Sequence, residues 1–140
     1  GSLAAGSRIN LSFGVSPRSG DYNLVLGNTA GTAKRGDGMP EWVELTASGA
    51  IPVTARSIEL NHASTVIAAT LNVATVRGMV AIKDTSATGT AAHTVTLTNG
   101  TFNGTNTVAT LNARDEALFV FFDSAGRGQV IANIGSVALS

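Results

Sequence analysis

Polar and apolar residues alternate along much of the chain, in short segments separated by turn residues. In "HTVTLTNGTFNGTNTVATL", residues 93–111, Val95 and Leu97 fall on one side of an extended chain and three threonines on the other. Asn-Gly pairs favour the positive φ angles of tight hairpins. The stretch therefore predicts strands with one apolar face, one uncharged solvated face, and hairpin turns at Asn99-Gly100 and Asn103-Gly104.

The same pattern recurs along the whole sequence and predicts nine to ten short strands. They cover residues 8–13, 22–26, 41–46, 57–60, 65–71, 78–84, 93–98, 107–111, 116–122 and 129–139. Such spacing, with Gly, Asn, Asp and Ser between the strands, is typical of an all-β domain. We expect one antiparallel β-sandwich or jelly-roll-like domain over residues 8–140, after a flexible segment at 1–7.

A helix is the alternative for one segment, "HASTVIAATLNVATV" at residues 62–76. Its alanines and leucine favour a helix, but its threonines and valines lose side-chain freedom there. No apolar stripe at helical spacing stands out, so the pattern favours a strand.

One predicted strand, "EALFVFFD", is apolar on both faces. Residues Leu118, Val120 and Phe122 point one way, and Phe119 and Phe121 point the other. A strand of this kind must be covered on both sides. It lies either in the middle of a two-layer sandwich or against another subunit, and these five residues are the candidate oligomer interface.

Charge is scarce and balanced in this chain of 140 residues. Only 13% of the residues are charged, and nine basic residues cancel nine acidic ones. A neutral chain lacks the electrostatic footprint expected of a protein that binds nucleic acid or an anionic membrane surface. Low net charge also favours self-association.

Cysteine is absent, which excludes disulfides and thiolate metal sites. No apolar run is long enough to span a bilayer and no signal peptide is visible. The chain begins with Gly-Ser rather than Met, which is typical of an expression scar.

Candidate catalytic chemistry is sparse. The two histidines, His62 and His93, have no metal-ligand spacing around them, and no Gly-x-Ser-x-Gly motif occurs. Glu41 and Glu44 would point to opposite faces of a strand, which does not suit a glycosidase pair. We expect no catalytic residue, metal site or cofactor, and a protein that is not an enzyme.

Trp42, in "MPEWVEL", follows a Gly-rich loop. It is a candidate core or subunit anchor, or an exposed platform for a sugar ring. In the second case Tyr22 and Arg35 are candidate neighbours, and the protein would be a carbohydrate-binding β-sandwich that recognises cell-surface glycans.

Three segments resemble small β-rich structural proteins of tailed bacteriophages. They are "IPVTARSIELNH", "GMVAIKDTSATGTAAHTVTL" and "GTFNGTNTVATLNARDEALFVFFDSAGRGQVI", within residues 51–137. The shared pattern is a strand ending in Asp, a Ser/Gly/Thr/Ala turn, a Thr-rich strand, Asn-Gly-Thr, an apolar strand and Asp-Ser-x-Gly. The family often has a tryptophan after that last motif, where this chain has Ala125 to Ile131.

The resemblance implies a non-enzymatic structural protein on the surface of a virion. Such modules occur as head fibres, head decoration proteins and tail-fibre segments, commonly as homotrimers. The implied partners are further copies of the chain and a capsid or fibre protein, with a host-surface glycan as a further candidate.

Overall fold

The computed structural model describes residues 41–140, which lie in the compact unit Pro40–Ser140. The predicted flexible segment at 1–7 and the predicted strands at 8–13 and 22–26 lie outside the described residues. Within these bounds the regular elements are all strands, which confirms the all-β class. They are β1 (Glu41–Leu45), β2 (Gly49–Ile51), β3 (Ala55–Leu60), β4 (Ala68–Asn72), β5 (Gly78–Asp84), β6 (His93–Thr98), β7 (Thr101–Phe102), β8 (Val108–Leu111), β9 (Ala117–Phe122), β10 (Arg127–Ile134) and β11 (Ala138–Leu139).

The strands form two mixed sheets. A six-stranded sheet has the order β1-β3-β5-β9-β10-β7, and a five-stranded sheet has the order β2-β4-β6-β8-β11. Strands β1, β3 and β5 are mutually parallel, as are β2, β4 and β6. The later strands β8 and β9 add to them in antiparallel orientation.

The first six strands are arranged like a solenoid, because the chain alternates between the two sheets. Three turns, β1–β2, β3–β4 and β5–β6, stack on one another. Two neighbouring parallel strands of one sheet need a long crossover, and here a strand of the opposite sheet is part of that crossover. The prediction of an antiparallel sandwich or jelly roll was therefore wrong at this level, since the strands β1 to β6 pair in parallel.

Strand positions agree with the sequence pattern better than strand partners do. Segment 62–76 contains β4 and no helix. The short strands β2 and β7 were missed, and the predicted strand 129–139 is divided at Gly135 and Ser136, whose φ angles are 82° and 72°.

The core lies between the sheets and follows the period-2 alternation. Ladders of branched apolar residues run across the strands, as in Ile58, Ile82 and Leu118 on one sheet. All three are at most 1% exposed. On the other sheet, Val95 and Leu97 are buried and the threonines of β6 point outward, as predicted. Because similar residues stack in register, each layer of the core is filled evenly and its apolar surface is removed from water.

One of the two Asn-Gly turns has a different role from the one predicted, whereas Asn103-Gly104 lies within the tight antiparallel turn that joins Phe102 and Asn106. Asn99 and Asn103 do adopt positive φ angles, of 63° and 50°. The Asn99-Gly100 turn, however, carries the chain from β6 in one sheet to β7 in the other, so it does not close a hairpin. A side chain at Gly100 would meet the carbonyl oxygen of Gly126 at 2.1 Å, which is why glycine is required there.

Candidate functional site

The strand β9 directs its side chains to two different environments. Leu118, Val120 and Phe122 point into the core of the chain itself and are at most 1% exposed. Phe119 is half-buried and Phe121 is 46% exposed, both on the outer face of the six-stranded sheet. Of the five candidate interface residues, the fold of one chain thus already covers three. Only Phe119 and Phe121 remain available to a partner.

Exposed apolar side chains cluster around these two phenylalanines. Met79 pairs with Phe121 across β5 and β9, and β10 contributes Ile131 and Ile134. The exposed fractions are 46% for Met79, 60% for Ile131 and 50% for Ile134. We call Met79, Phe119, Phe121, Ile131 and Ile134 the apolar patch. At roughly 100 Å² for each of the four half-exposed side chains, it presents on the order of 400 Å², the size of the largest apolar patch on a typical monomer, which is often functional.

Trp42 lies at the opposite edge of the same outer face. Its side chain is 57% exposed, so it is not part of the core of the described unit. The indole Nε1 donates a hydrogen bond of 2.9 Å to the Glu59 carboxylate on the neighbouring strand β3. That bond favours one orientation of the ring while leaving most of it in solvent.

A row of cross-strand neighbours connects Trp42 to the apolar patch. Trp42 pairs with Ser57, Ser57 with Ala81, and Ala81 with Phe119. The two aromatic residues are three strand spacings apart, about 14 Å. The two residues between them are small, so the row has an aromatic side chain at each end and small side chains in the middle. We call it the aromatic trough: Trp42 and Phe119 as walls, Ser57 and Ala81 as floor.

The next row along the same face carries charge. Glu44 pairs with Glu59, and Glu59 with Lys83. The Glu44 carboxylate accepts a 2.9 Å hydrogen bond from the Asn61 amide. Lys83 lies 2.9 Å from Asp115, and its hydrogen bond and positive charge hold the pKa of that carboxyl below its usual range. One side of the aromatic trough is therefore lined with hydrogen-bonding groups.

The outer face of the five-stranded sheet has a different character. Cross-strand pairs of threonine, such as Thr70 with Thr96 and Thr94 with Thr110, follow one another across β4, β6 and β8. The outward positions of these three strands hold no charged residue. They are Ala68, Thr70, Asn72, Thr94, Thr96, Thr98, Val108 and Thr110. We call this surface the threonine face.

A buried polar cluster lies where the loop 85–92 meets β6. His93 is fully buried and its Nδ1 accepts a 3.0 Å hydrogen bond from the backbone N–H of Ile67. Its Nε2 lies 2.9 Å from the hydroxyl of Ser86, which is also fully buried. The backbone N–H of Ser86 donates in turn to the Asp84 carboxylate at 2.8 Å. Sequence reasoning missed this cluster because the alternation marks inward positions without naming their partners.

The protonation of His93 decides what this cluster can do. Because Nδ1 accepts a hydrogen bond, the neutral ring carries its proton on Nε2 and donates it to Ser86. A general base would have to accept the serine proton at that same atom. The carboxylate that orients a catalytic histidine is also misplaced, since Asp84 bonds the backbone of Ser86. The geometry is that of a structural network which holds the loop against β6.

The other candidate residues are readily placed. His62 accepts hydrogen bonds at Nδ1 from the backbone N–H groups of Ser64 and Thr65, so it stabilises a turn. Tyr22 and Arg35, the predicted neighbours of Trp42, lie outside the described residues. Between residues 41 and 140, no group of three or more His, Cys, Asp or Glu side chains is arranged to hold a metal ion. The described residues include no helix that is long and apolar enough to cross a membrane.

The chain was compared with protein-family models, with curated proteins and with solved structures, and none of them matches it.

Proposed function

We propose that this chain is a structural, self-assembling protein of a bacteriophage virion surface, and that its subunits associate through the apolar patch. The observation that carries the assembly is the outer face of β9, where Phe121 is 46% exposed. The other half of that strand fills the core. The residues from Phe119 to Phe121 on β9 and from Ile131 to Ile134 on β10 carry no charge, and Arg127 lies at the far end of β10.

Electrostatics support a second copy of the chain as the occupant. The chain has a net charge of zero, so two copies meet with little repulsion. An apolar centre of about 400 Å² within a polar rim suits a standard interface, which buries about 800 Å² on each partner. A homotrimer is the stoichiometry that the resemblance implies, and a closed ring of three would use the patch on every subunit.

The location on a virion rests on the resemblance of residues 51–137 to head-fibre, decoration and tail-fibre proteins. A stacked-strand unit suits this role because its strands form one continuous core with short connections. An antibody against the chain should label intact phage particles in electron micrographs, and labelling of the host cytoplasm alone would contradict the location.

The assembly is tested by the mass of the purified chain in solution, measured by light scattering. We expect three times the chain mass of 14.1 kDa. The substitution Phe121→Asp places a charge in the apolar patch, without touching the core, and should reduce the mass to that of one chain.

The matched control is Thr96→Asp, which places the same charge on the threonine face. It should leave the oligomer intact. A monomeric wild-type chain at high concentration would contradict the proposal, and so would an oligomer that survives Phe121→Asp. Loss of the oligomer in Thr96→Asp alone would assign the interface to the threonine face instead.

A further inference from the structure

Beyond self-assembly, we propose that the aromatic trough binds a neutral saccharide, with one sugar ring stacked on the indole of Trp42. The saccharide occupies the end of the trough on β1, β3 and β5, beside Trp42, whereas the Phe119 wall on β9 belongs to the apolar patch. Trp42, at 57%, is the most exposed aromatic side chain of residues 41–140. The hydrogen bond to Glu59 orients its ring before any ligand binds.

The indole ring of Trp42 is oriented by a hydrogen bond within the chain. An indole free to rotate loses entropy when a ligand orders it, which weakens binding. Here the 2.9 Å bond from Nε1 to Glu59 holds the ring against β3. A tryptophan that served only the core would have a buried ring, whereas the ring of Trp42 is oriented in solvent.

The trough has small residues beside Trp42 and a row of polar side chains along one side. Ser57 and Ala81 are small, and they leave space beside the Trp42 wall above the sheet. Along the adjacent row, Glu44, Glu59 and the amide of Asn61 supply acceptors and donors for sugar hydroxyl groups. A pyranose has one apolar face and a rim of hydroxyls, so it matches an aromatic wall that is flanked by polar groups.

Charge determines the class of saccharide. Two carboxylates, Glu44 and Glu59, border the trough. Two cations lie on β3 and β5. The charge of Lys83 is balanced by Asp115, whereas Arg56 keeps its charge while it donates to the backbone carbonyls of Val53 and Ala55, so the two carboxylates outnumber the remaining cation. A uronic acid or a sialylated sugar would be repelled, and a neutral sugar would not.

The test uses tryptophan fluorescence, because Trp42 is the single tryptophan of the chain. The full chain is titrated with maltotetraose, cellotetraose and chitotetraose, and with tetragalacturonate as the anionic probe. We expect a saturable change with at least one neutral probe and none with the anionic probe. No saturable change with any neutral probe up to about 10 mM would overturn the proposal. Saturation by tetragalacturonate alone would do the same.

Variants then locate the binding by calorimetry, which does not need the tryptophan signal. Trp42→Ala should weaken binding of the neutral probe by about tenfold, which is the scale of one aromatic stacking contact. Glu59→Ala, which releases the indole, should also weaken it. Val66→Ala shortens an apolar side chain that is 48% exposed in the loop between β3 and β4, outside both the trough and the apolar patch, and should have no effect. Equal losses in Trp42→Ala and Val66→Ala would overturn the site.

Discussion

His93 and Trp42 are two rings with polar nitrogens that this fold uses in opposite ways. The imidazole is fully buried and both nitrogens have partners within the chain. The indole has one partner and keeps most of its surface in solvent. A buried ring of this kind contributes by satisfying its neighbours, because a buried polar group without a partner is costly. An exposed ring contributes little to the stability of one chain and is available for binding.

The residue scale yields a prediction for His93. The substitution His93→Phe keeps the ring size but leaves the Ile67 N–H and the Ser86 hydroxyl without their partner. We expect a loss of about 2–4 kcal/mol in the free energy of unfolding, since each orphaned group costs about 1–3 kcal/mol. Urea denaturation monitored by circular dichroism measures it.

His62→Phe is the matched control, because His62 is only half-buried and water can replace its hydrogen bonds. It should cost less than about 1 kcal/mol. A similar loss in both variants would mean that the buried network does not stabilise the fold as described.

At the scale of elements, the turn between β9 and β10 is held by backbone hydrogen bonds and by the side chain of Asp123. Asp123 accepts hydrogen bonds from the backbone N–H groups of Ala125 and Arg127 at 2.8 and 3.1 Å. Gly126 adopts a φ of 78° within this turn. The turn aligns β10 with β9, and so it places Ile131 and Ile134 beside Phe119 and Phe121. An Asx turn of this kind involves only residues that are close together in the sequence, so the sequence alone can predict it.

The pH dependence of this turn follows from the charge on Asp123. The hydrogen bond from the Arg127 backbone, and then that from Ala125, hold the pKa of Asp123 below its ordinary value. A carboxyl with a lowered folded pKa stabilises the fold above its unfolded pKa, about 3.9, and loses that contribution as the pH falls through the folded value. Asp123→Asn should therefore be less stable than the wild type at pH 7, and the difference should shrink below about pH 4. Thermal unfolding at several pH values measures this, and a difference that is equal at pH 7 and pH 3 would contradict it.

At the scale of the whole molecule, parallel stacking and antiparallel strands are combined in one core. The three stacked turns provide most of the parallel pairing, and β7 to β11 add the remaining described strands to both sheets. The six-stranded sheet receives the apolar strand β9, whereas the five-stranded sheet receives the shorter, threonine-bearing β8. The two outer faces consequently differ: one carries the apolar patch beside a charged row, and the other is uncharged but polar. An assembly that uses the apolar patch leaves the threonine face exposed to solvent.

The proposed self-association would make the stability of the molecule depend on its concentration. Because only the folded chain presents the apolar patch, mass action raises the Tm of an associating protein as its concentration rises. We expect the Tm of the wild-type chain to increase over a hundredfold concentration range, and that of Phe121→Asp to stay constant. Scanning calorimetry measures both, and a wild-type Tm independent of concentration would argue against the assembly.

The period-2 pattern of the sequence predicted the all-β class and the positions of most described strands. It also predicted which side of each strand is apolar, as Val95 and Leu97 show. Asparagine and glycine marked the turns, because few other residues accept positive φ angles. For the candidate sites, the sequence identified Trp42 and the two-faced strand around Phe121. These features are local, so they could be predicted from neighbouring residues.

Only the tertiary structure decided which strands pair. Alternation says which face of a strand is apolar and nothing about its neighbour, so a short loop can close a hairpin or carry the chain to the opposite sheet. Between β1 and β6 each connection carries the chain to the opposite sheet, and neighbouring strands of one sheet are therefore parallel. The same pairing placed Trp42, Ser57, Ala81 and Phe119 in one row although they are far apart in sequence. It also determined that Phe121, and not Phe122, faces outward, because the side of β9 that carries Phe122 packs against the core of the chain.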